Sequence, residues 1–546
     1  MRIARVVLGF IFVMRFLAAC GVSTSVVGAP SPRQVAEHDA ASDTVIEDAS
    51  PVSDAVIEDA HSALSVLTAS GRIVGRWDGN VRVFQGIPYA APPVGALRWR
   101  PPAPPTPWVG ERPTLNYGSI CPQFYNGGVR GEEDCLFLNV WTSASPGESR
   151  PVMVFLHGGG FSTGSATCDD GDVVNSVAVC DGSHLADHGA LVVTLNYRLG
   201  MLGFLAEHSL SMESEHQVSG NYGLLDQIAA LQWVRSNIAA FGGDPTRVML
   251  FGQSAGGTSV CTHLVSPLSA GLFSRAAIES GNCSLETATL DVAEAQGAGF
   301  AEATGCGGAV NMPGCLRAES AADVVLANVR GAGGHKVGPT IDQYFLHATP
   351  TEGFATGAYN HVPVLIGSNA EETSIDPDVE DIVSLDQYQS YLEFLFGGVD
   401  VSSLTRLYSM DGFTPSMLAG AASSDDWFTC PASRSARSLS REVPVFLYFF
   451  ARPVLDMHSH RRSAWHGAEL PFLFHPQHGA DESLAAAMTD YWVHFAATGD
   501  VNDPGTLKWP RFSAASPAAM RLDSSQSVMN GVHLEACSIW DSIVMQ

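Results

Sequence analysis

Ser254 is the residue whose surroundings best suit it for chemistry, in the run Val248-Met-Leu-Phe-Gly-Gln-Ser-Ala-Gly-Gly257. A short apolar stretch of strand character lies within residues 247–251, a tight turn of small residues follows, and a helical pattern extends to about residue 265. Small residues on both sides of the serine let the backbone bend sharply and hold the hydroxyl out beyond the end of the strand. The pattern predicts that Ser254 is a nucleophile.

A second Gly-x-Ser-x-Gly match is centred on Ser162, in a chain that contains 54 glycines. The residues after it, Ser165-Ala-Thr-Cys-Asp-Asp-Gly171, do not suit a packed helix. Because a serine turn of this kind requires a strand before it and a helix after it, context favours Ser254 over Ser162.

The elements that must position Ser254 can be read from the apolar periodicity. Runs typical of strands occur at residues 71–77, 81–89, 135–141, 152–156 and 191–195. Apolar residues at helical spacing precede the Ser254 strand: Leu224, Ile228, Leu231, Val234 and Ile238. Strands that alternate with helices predict an α/β fold, with a central, mostly parallel sheet flanked by helices in one large catalytic domain. The proline-rich run 92–102 is predicted to be an irregular surface arm.

The charge balance excludes some classes of partner. The chain has 29 basic and 56 acidic residues, a formal net charge of −27, and 46% hydrophobic residues. This apolar content supports a sizeable core, and the negative charge argues against nucleic acid or an anionic membrane surface as a partner.

The N-terminus has the features of an export signal. Arg2 and Arg5 precede the apolar run 6–14, which is too short to span a bilayer and fits a secretory signal. The run Leu17-Ala-Ala-Cys20-Gly21 resembles a bacterial lipobox, in which Cys20 would be lipidated after removal of the signal peptide 1–20. Ordinary cleavage near Gly28 is the alternative.

Residues 21–66 are predicted to form a flexible acidic linker that leads to the catalytic domain at 67–546. Ser, Ala, Pro, Asp and Glu dominate the linker, which buries too little apolar surface to offset the entropy of ordering it. We therefore expect an exported protein. It is either lipid-anchored at the cell envelope, at the outer membrane in a Gram-negative cell, or secreted, and it has no membrane contact beyond the anchor.

Several ordered motifs in the region from about residue 68 to the C-terminus resemble one family. They are Glu133-Asp-Cys-Leu-Phe-Leu-Asn-Val140, His157-Gly-Gly-Gly-Phe161, Asn196-Tyr-Arg-Leu-Gly200, Gly220-Asn-Tyr-Gly-Leu-Leu-Asp226, Phe241-Gly-Gly-Asp-Pro245 and Gly252-Gln-Ser-Ala-Gly-Gly257. The chain resembles the type B carboxylesterases, the α/β-hydrolase family that includes cholinesterases and para-nitrobenzyl esterases. The resemblance implies a serine esterase that acts on small-molecule carboxylic esters.

The resemblance also implies the acid and the base that a serine nucleophile needs, in the order serine, acid, histidine. The segment Ile366-Gly-Ser-Asn-Ala-Glu-Glu-Thr373 matches the family segment that ends in the catalytic glutamate, which places this role on Glu372, with Glu371 as the alternative. Asp342 is interpreted as structural. The segment Trp465-His-Gly-Ala-Glu-Leu-Pro-Phe472 matches the family's histidine segment, which makes His466 the base.

Charge stabilisation is expected from the glycine run after the strand at 152–156. By resemblance, the backbone N–H groups that would bind the developing oxyanion belong to Gly159, Gly160 and Ala255. This chemistry needs no cofactor and no metal, and the histidines near His466 lack an acid or a cysteine at ligand spacing.

Eleven cysteines are present, and without Cys20 an even number remains, as suits an oxidising compartment. Sequence neighbours pair naturally, although spacing alone does not fix the connectivity. By resemblance to cholinesterases, three pairs are expected: Cys121 with Cys135, Cys306 with Cys315, and Cys430 with Cys537. Two further pairs, Cys168 with Cys180 and Cys261 with Cys283, are expected either as disulfides or as free thiols.

The predicted activity is carboxylic ester hydrolysis through an acyl-enzyme on Ser254. The alternatives are a lipase for longer acyl chains and a non-catalytic surface binding module. A cholinesterase is disfavoured, because Gln253 replaces the glutamate beside the nucleophile and the run Phe124-Tyr-Asn126 offers no tryptophan for a choline group. The natural substrate and the oligomeric state are left open by the sequence.

Overall fold

The structure is a computed structural model of the chain. It describes residues 63–145, 147–168, 179–330, 337–396, 402–408, 412–456, 460–475 and 482–544. The predicted signal peptide, Cys20 and residues 21–62 of the predicted linker therefore lie outside the described residues. Among those described, no helix is both long and apolar enough to cross a membrane.

The strands are listed in chain order as β1 (Ser65–Thr68), β2 (Gly71–Val74), β3 (Arg76–Asp78), β4 (Val81–Pro88), β5 (Glu111–Pro113), β6 (Gln123–Tyr125), β7 (Gly128–Arg130), β8 (Phe137–Thr142), β9 (Arg150–Leu156), β10 (Leu191–Leu195), β11 (Gly243–Gln253), β12 (Arg275–Glu279), β13 (Ala288–Thr289), β14 (Thr340–Ile341), β15 (Val364–Asn369), β16 (Val445–Phe450), β17 (Val454–Leu455), β18 (Arg462–Ser463), β19 (Ala518–Leu522) and β20 (Ser527–Asn530).

The helices are α1 (Ser183–Asp187), α2 (Gly200–Phe204), α3 (His208–Met212), α4 (Tyr222–Asn237), α5 (Ala255–Val265), α6 (Leu290–Ala303), α7 (Met312–Ala318), α8 (Ala321–Val329), α9 (Pro350–Thr356), α10 (Pro377–Glu380), α11 (Leu385–Phe396), α12 (Ser402–Leu407), α13 (Pro415–Ser424), α14 (Cys430–Leu439), α15 (Leu470–Phe474), α16 (Glu482–Thr498) and α17 (Leu534–Val544). A π-helical turn, Asp425–Thr429, joins α13 to α14.

Within the described residues the main sheet has eleven strands, in the order β20-β19-β16-β15-β12-β11-β9-β10-β8-β4-β3. From β10 to β19 neighbouring strands pair in parallel, and the antiparallel pairs lie toward the two edges. The predicted mostly parallel sheet flanked by helices is confirmed.

The sequence of the central strands explains why both faces of the sheet are covered. All residues of β10 and β15 are buried, as expected for parallel strands between two helical layers. Successive side chains point to opposite faces, so Val154 of β9 joins one large apolar cluster and Phe155 joins the other. Each central strand therefore contributes to two cores.

The pairing register brings four strand ends together at one edge of the sheet. Gln253 of β11 is opposite Glu279 of β12, Glu279 is opposite Gly367 of β15, and Gly367 is opposite Tyr448 of β16. Because these strands are parallel, their carboxyl ends meet at this edge, which is where open α/β sheets place their sites.

A third apolar cluster, built mainly from α11 to α14 and α17, packs beside the sheet. Asp425 in the π-helical turn accepts hydrogen bonds from His533 Nδ1 at 2.6 Å and from Tyr408 Oη at 2.6 Å. These contacts fix the C-terminal helix α17 to the helical layer next to the carboxyl edge.

Candidate active site

Ser254 lies between β11 and α5 in a strained backbone conformation. Its φ is 58° and its ψ is −122°, which is rare for a residue with a side chain. The turn is held by hydrogen bonds from Ser254 N to Glu279 O (2.9 Å) and from Thr258 N to Ser254 O (2.8 Å). The serine is therefore presented at the carboxyl edge of the sheet, directly before the N-terminus of a helix.

Close packing explains why small residues follow the serine. A Cβ added to Gly256 would lie 1.9 Å from Leu156 O, because α5 begins against the end of β9. Ser162, the serine of the other match, lies in a turn after β9 in which its N–H donates to Gly159 O at 3.0 Å. The structure thus gives Ser254, and not Ser162, the strand-to-helix turn.

His466 and Glu372 form a direct pair at the same edge. His466 Nδ1 is 2.7 Å from Glu372 Oε2, and His466 N donates to Glu372 O at 3.1 Å. Glu372 Oε1 accepts from Asn369 N at 2.7 Å, so both carboxylate oxygens are engaged. The side chain of Glu372 is 0% exposed and that of His466 is 28% exposed. The imidazole is therefore accessible to a substrate, whereas the carboxylate of Glu372 is shielded from solvent.

The neighbouring acids contact other groups. Glu371 Oε2 accepts from Ala464 N at 3.1 Å, and within the described residues this carboxylate makes no hydrogen bond to the imidazole. Asp342 accepts from the backbone N–H groups of Phe345 (2.8 Å) and Leu346 (3.0 Å), which closes a local loop. Among the predicted acids, the structure brings only Glu372 to His466.

Two opposing effects act on the pKa of His466. Burial lowers the pKa, whereas the charge of Glu372 and its hydrogen bond, together with the charge of Glu469, raise it, and the net result is a pKa above the ordinary value of 6.5. Since a carboxylate only accepts, Nδ1 carries a proton and Nε2 of the neutral ring carries a lone pair. Nε2 is then the atom that can remove a proton.

Two further side chains surround this imidazole. Gln253 Nε2 is 3.3 Å from His466 Nε2. The ring of Phe428, in the π-helical turn, lies 4.7 Å from the imidazole, centre to centre, with a 37° tilt. No hydrogen bond joins Ser254 Oγ to His466 among the described residues. Such contacts often form only when substrate binds.

The glycine run after β9 has the features of an anion-binding loop. Gly159 and Gly160 have φ values of 100° and 59°. The carbonyl of Gly159 accepts from Thr163 N at 2.9 Å, so it faces its own turn. Within the part of the chain that the structure describes, the N–H groups of Gly159, Gly160 and Ala255 donate no hydrogen bond. The three groups are thus available to a substrate oxygen.

Two buried acids lie behind the pair. Asn369 Nδ2 donates to Glu469 Oε2, and burial, followed by the charge of Glu372, raises the pKa of Glu469 to about 7. Trp492 Nε1 donates to Glu279 Oε1 at 2.6 Å, and burial raises the pKa of Glu279 well above its usual range. Burial therefore disfavours the charged form of both acids, and Glu372 makes a larger contribution than Glu469 to the raised pKa of His466.

Five disulfides are present among the described residues: Cys121–Cys135, Cys168–Cys180, Cys261–Cys283, Cys306–Cys315 and Cys430–Cys537. They include the two pairs that the sequence left open between disulfides and thiols. Glu319 lies beside the Cys306–Cys315 sulfurs, but a disulfide offers no thiolate to a metal.

Sequence reasoning missed Asn369, Phe428 and Glu279. Asn369 lies inside the motif that identified Glu372, so its place at the end of β15 was a usable signal. Phe428 and Glu279 reach the site through packing of residues that are distant in sequence, which leaves no local pattern.

A parallel sheet of this order, with a serine at a strained strand-to-helix turn and an acid and a histidine after later strands, defines the α/β-hydrolase fold. A model of the carboxylesterase family matches residues 62–392 and 412–540. The chain belongs to this family of type B carboxylesterases and is a carboxylic ester hydrolase.

Curated relatives share about a third of their residues with the chain. Fumonisin B1 esterase of Sphingopyxis macrogoltabida is 37% identical over 475 residues, covering 82% of this chain and 84% of the relative. Para-nitrobenzyl esterase of Bacillus subtilis (strain 168) is 35% identical over 499 residues, covering 85% and 96%. Human cocaine esterase is 32% identical over 481 residues, covering 80% and 82%.

Solved structures agree in fold. A carboxylesterase of Geobacillus stearothermophilus superposes with a TM-score of 0.76 at 31% identity, covering 87% of this chain and 100% of the other. A PNB esterase superposes with a TM-score of 0.73 at 34% identity, covering 88% and 100%.

Proposed function

We propose that the chain hydrolyses small-molecule carboxylic esters by two-step acyl transfer, with Ser254 as nucleophile, His466 as base and Glu372 as its partner. The observation that carries this proposal is the 2.7 Å contact between His466 Nδ1 and Glu372 Oε2 at the sheet edge that presents Ser254. A serine hydroxyl is a weak nucleophile at its own pKa and needs such an oriented base.

In the first step His466 Nε2 accepts the proton of Ser254 Oγ as the oxygen attacks the ester carbonyl. The resulting tetrahedral intermediate collapses when the imidazolium gives this proton to the departing alcohol, which leaves an acyl-enzyme. In the second step His466 takes a proton from water, the hydroxide attacks the acyl carbon, and the proton returns to Ser254 Oγ as the acid leaves.

The remaining groups of the proposed site stabilise the charges that develop during the reaction. Glu372 keeps Nδ1 protonated and stabilises the imidazolium through a buried contact. The N–H groups of Gly159, Gly160 and Ala255 bind the oxyanion of each intermediate, and removal of one such donor typically costs about 10²- to 10³-fold in rate.

A lipase is the second candidate because apolar side chains are exposed on helices α11 and α13 and on the turns that precede them. They are Val383, Leu385, Phe394, Phe413 and Met417. Helix α13, which contains Met417, contacts the residue after Glu372, since Thr373 Oγ1 donates to Gly420 O at 3.0 Å. Exposed apolar groups near a site suit long acyl chains.

The experiment is initial-rate hydrolysis of para-nitrophenyl esters from acetate to palmitate by the purified chain, with Ser254→Ala alongside. Serine-dependent activity with a short-chain optimum is expected. A long-chain optimum would move the assignment to lipase, and a lack of activity on every ester would favour a binding module. Hydrolysis by folded Ser254→Ala at the parent rate would refute the role of Ser254.

We also propose export, with lipid attachment at Cys20 as the anchoring step. Five disulfides suit an oxidising compartment. Expressed in a Gram-negative host, the parent chain should sediment with membranes and Cys20→Ala should lose this association. Equal fractionation of the two would favour ordinary signal cleavage.

A further inference from the structure

Gln253 is the last residue of β11 and directly precedes Ser254, and only 6% of it is exposed. Its Nε2 lies 3.3 Å from His466 Nε2. At the other end of the amide, a Cβ added to Gly158 would lie 2.9 Å from Gln253 Oε1. The amide therefore extends from the glycine run to the imidazole, and it contacts the atom of His466 that the proposed reaction uses.

The contact fits only one protonation state of the imidazole. Glu372 holds the proton on Nδ1, so in the neutral ring Nε2 is an acceptor and the amide N–H of Gln253 can donate to it. After protonation Nε2 also becomes a donor, and two N–H groups would then face each other. In this orientation the amide favours the neutral imidazole, which is the form that can act as a base.

The groups around the imidazole show why the charge of the side chain at position 253 matters for His466. Glu372 and Glu469 raise the pKa of His466, whereas Phe428 presents an apolar ring and Gln253 a neutral amide. Glu371, from the loop of Glu372, bonds Ala464 N. A carboxylate at position 253 would be isosteric with the amide and would add a negative charge in contact with Nε2.

We propose that Gln253 is a positioning residue that holds the Nε2 side of neutral His466 beside Ser254 and keeps this side of the imidazole free of negative charge. When an ester binds, the Gln253 amide gives up its hydrogen bond to His466 Nε2, and Ser254 Oγ donates to that nitrogen instead. This inference rests on the proposed function for its catalytic meaning, but the contact itself can be measured without turnover.

The direct measurement is the pKa of His466 by NMR titration of ¹³C-labelled histidine in the Ser254→Ala background, with the signal assigned through His466→Gln. Gln253→Glu should raise this pKa by at least one unit, because an opposite charge in contact typically shifts a pKa by about 1 to 3 units. Gln253→Met removes the donor at similar volume and should raise it by a few tenths of a unit.

Turnover gives the second readout. With Ser254 intact, Gln253→Glu should move the acid limb of kcat/KM up by the same amount, so that activity at pH 6 falls about tenfold relative to the parent. Gln253→Met should lower kcat several-fold with little change in KM, as expected when only the orientation of the base is lost. Gln232→Glu, on the exposed side of α4, is the matched charge control and should follow the parent.

The outcomes separate this inference from the proposed function. If both Gln253 variants fold but leave the NMR-measured pKa of His466 unchanged, Gln253 does not hold the imidazole, even where Ser254-dependent hydrolysis persists. If no ester is hydrolysed while Gln253→Glu raises the pKa as expected, the contact stands and the catalytic proposal fails. A fall in the pKa with Gln253→Met would overturn the donor assignment.

Discussion

At His466, burial lowers the pKa of the imidazole and the neighbouring negative charges raise it. The ring is partly buried, which disfavours the imidazolium, but its Nδ1 lies 2.7 Å from the buried carboxylate of Glu372. The charge and hydrogen bond of Glu372, together with the more remote Glu469, outweigh burial, and the pKa is raised. This residue pair was predicted from a motif resemblance. Asn369, which lies beside the pair, belongs to the same motif as Glu372, whereas Phe428 comes from a distant segment that local sequence does not connect to the site.

The raised pKa predicts the pH dependence of hydrolysis. In the proposed mechanism His466 must be neutral to accept the serine proton, so kcat/KM should fall as the pH drops through a value above 6.5. The measurement is a kcat/KM profile with a para-nitrophenyl ester over pH 5 to 9. An acid limb with its midpoint below pH 6 would show that burial, and not the charge of Glu372, determines the pKa of His466 in the free enzyme.

Glu372 and Glu371 provide a matched pair for mutation. Glu372→Gln should lower kcat by about 10³- to 10⁴-fold with the fold retained, as is typical when the partner of a catalytic histidine loses its charge. Glu371→Gln should keep kcat within about tenfold of the parent, since Glu371 bonds the backbone of Ala464. The reverse ranking would assign the acid role to Glu371.

At the scale of the element, the turn from β11 to α5 shows how far local sequence can reach. The serine turn and the helix end at Val265 were both predicted, because small residues and helical periodicity are local signals. Strand β11 begins earlier than predicted, at Gly243, since pairing with β9 passes through an irregularity between Gly243 and Val248.

The run 92–102 was interpreted as a surface arm, but Trp99 is buried and its Nε1 donates to Met201 O at 2.8 Å. That contact depends on tertiary packing.

Gly256→Ala should be strongly destabilising. Its Cβ would lie 1.9 Å from Leu156 O, and this backbone atom cannot move without shifting β9. We expect a loss of about 3 kcal/mol or more in the free energy of unfolding, at the upper end of the range for overpacking. Gly128→Ala, where a Cβ meets nothing within 4 Å, is the control. Urea unfolding of the two variants checks this, and equal midpoints would contradict it.

At the scale of the whole molecule, disulfides join parts of the chain that the sheet alone does not. Cys430–Cys537 connects α14 to α17 across 107 residues, whereas Cys306–Cys315 spans 9 residues. The pairings followed from sequence neighbours and resemblance. The order of the eleven strands did not, because it depends on which distant strands pair.

The loop lengths predict unequal contributions to stability. Replacing Cys430 and Cys537 by alanine should cost about 5 kcal/mol, while the same change at Cys306 and Cys315 should cost about 2.5 kcal/mol, if constraint of the unfolded chain dominates. Thermal unfolding of both double variants and the parent is the measurement. A larger loss from the short loop would mean that native packing around the bridge dominates instead.

The spacing of the proposed catalytic residues along the chain also determines when activity can arise. Gln253, beside the nucleophile, is separated by 213 residues from His466, and β16 must take its place between β15 and β19 near the end of the chain. During synthesis the serine turn therefore exists long before its base has been made. In the proposed mechanism, a nascent chain that ends before residue 466 carries a serine without a general base, so we expect esterase activity only after the later strands have been made and folded.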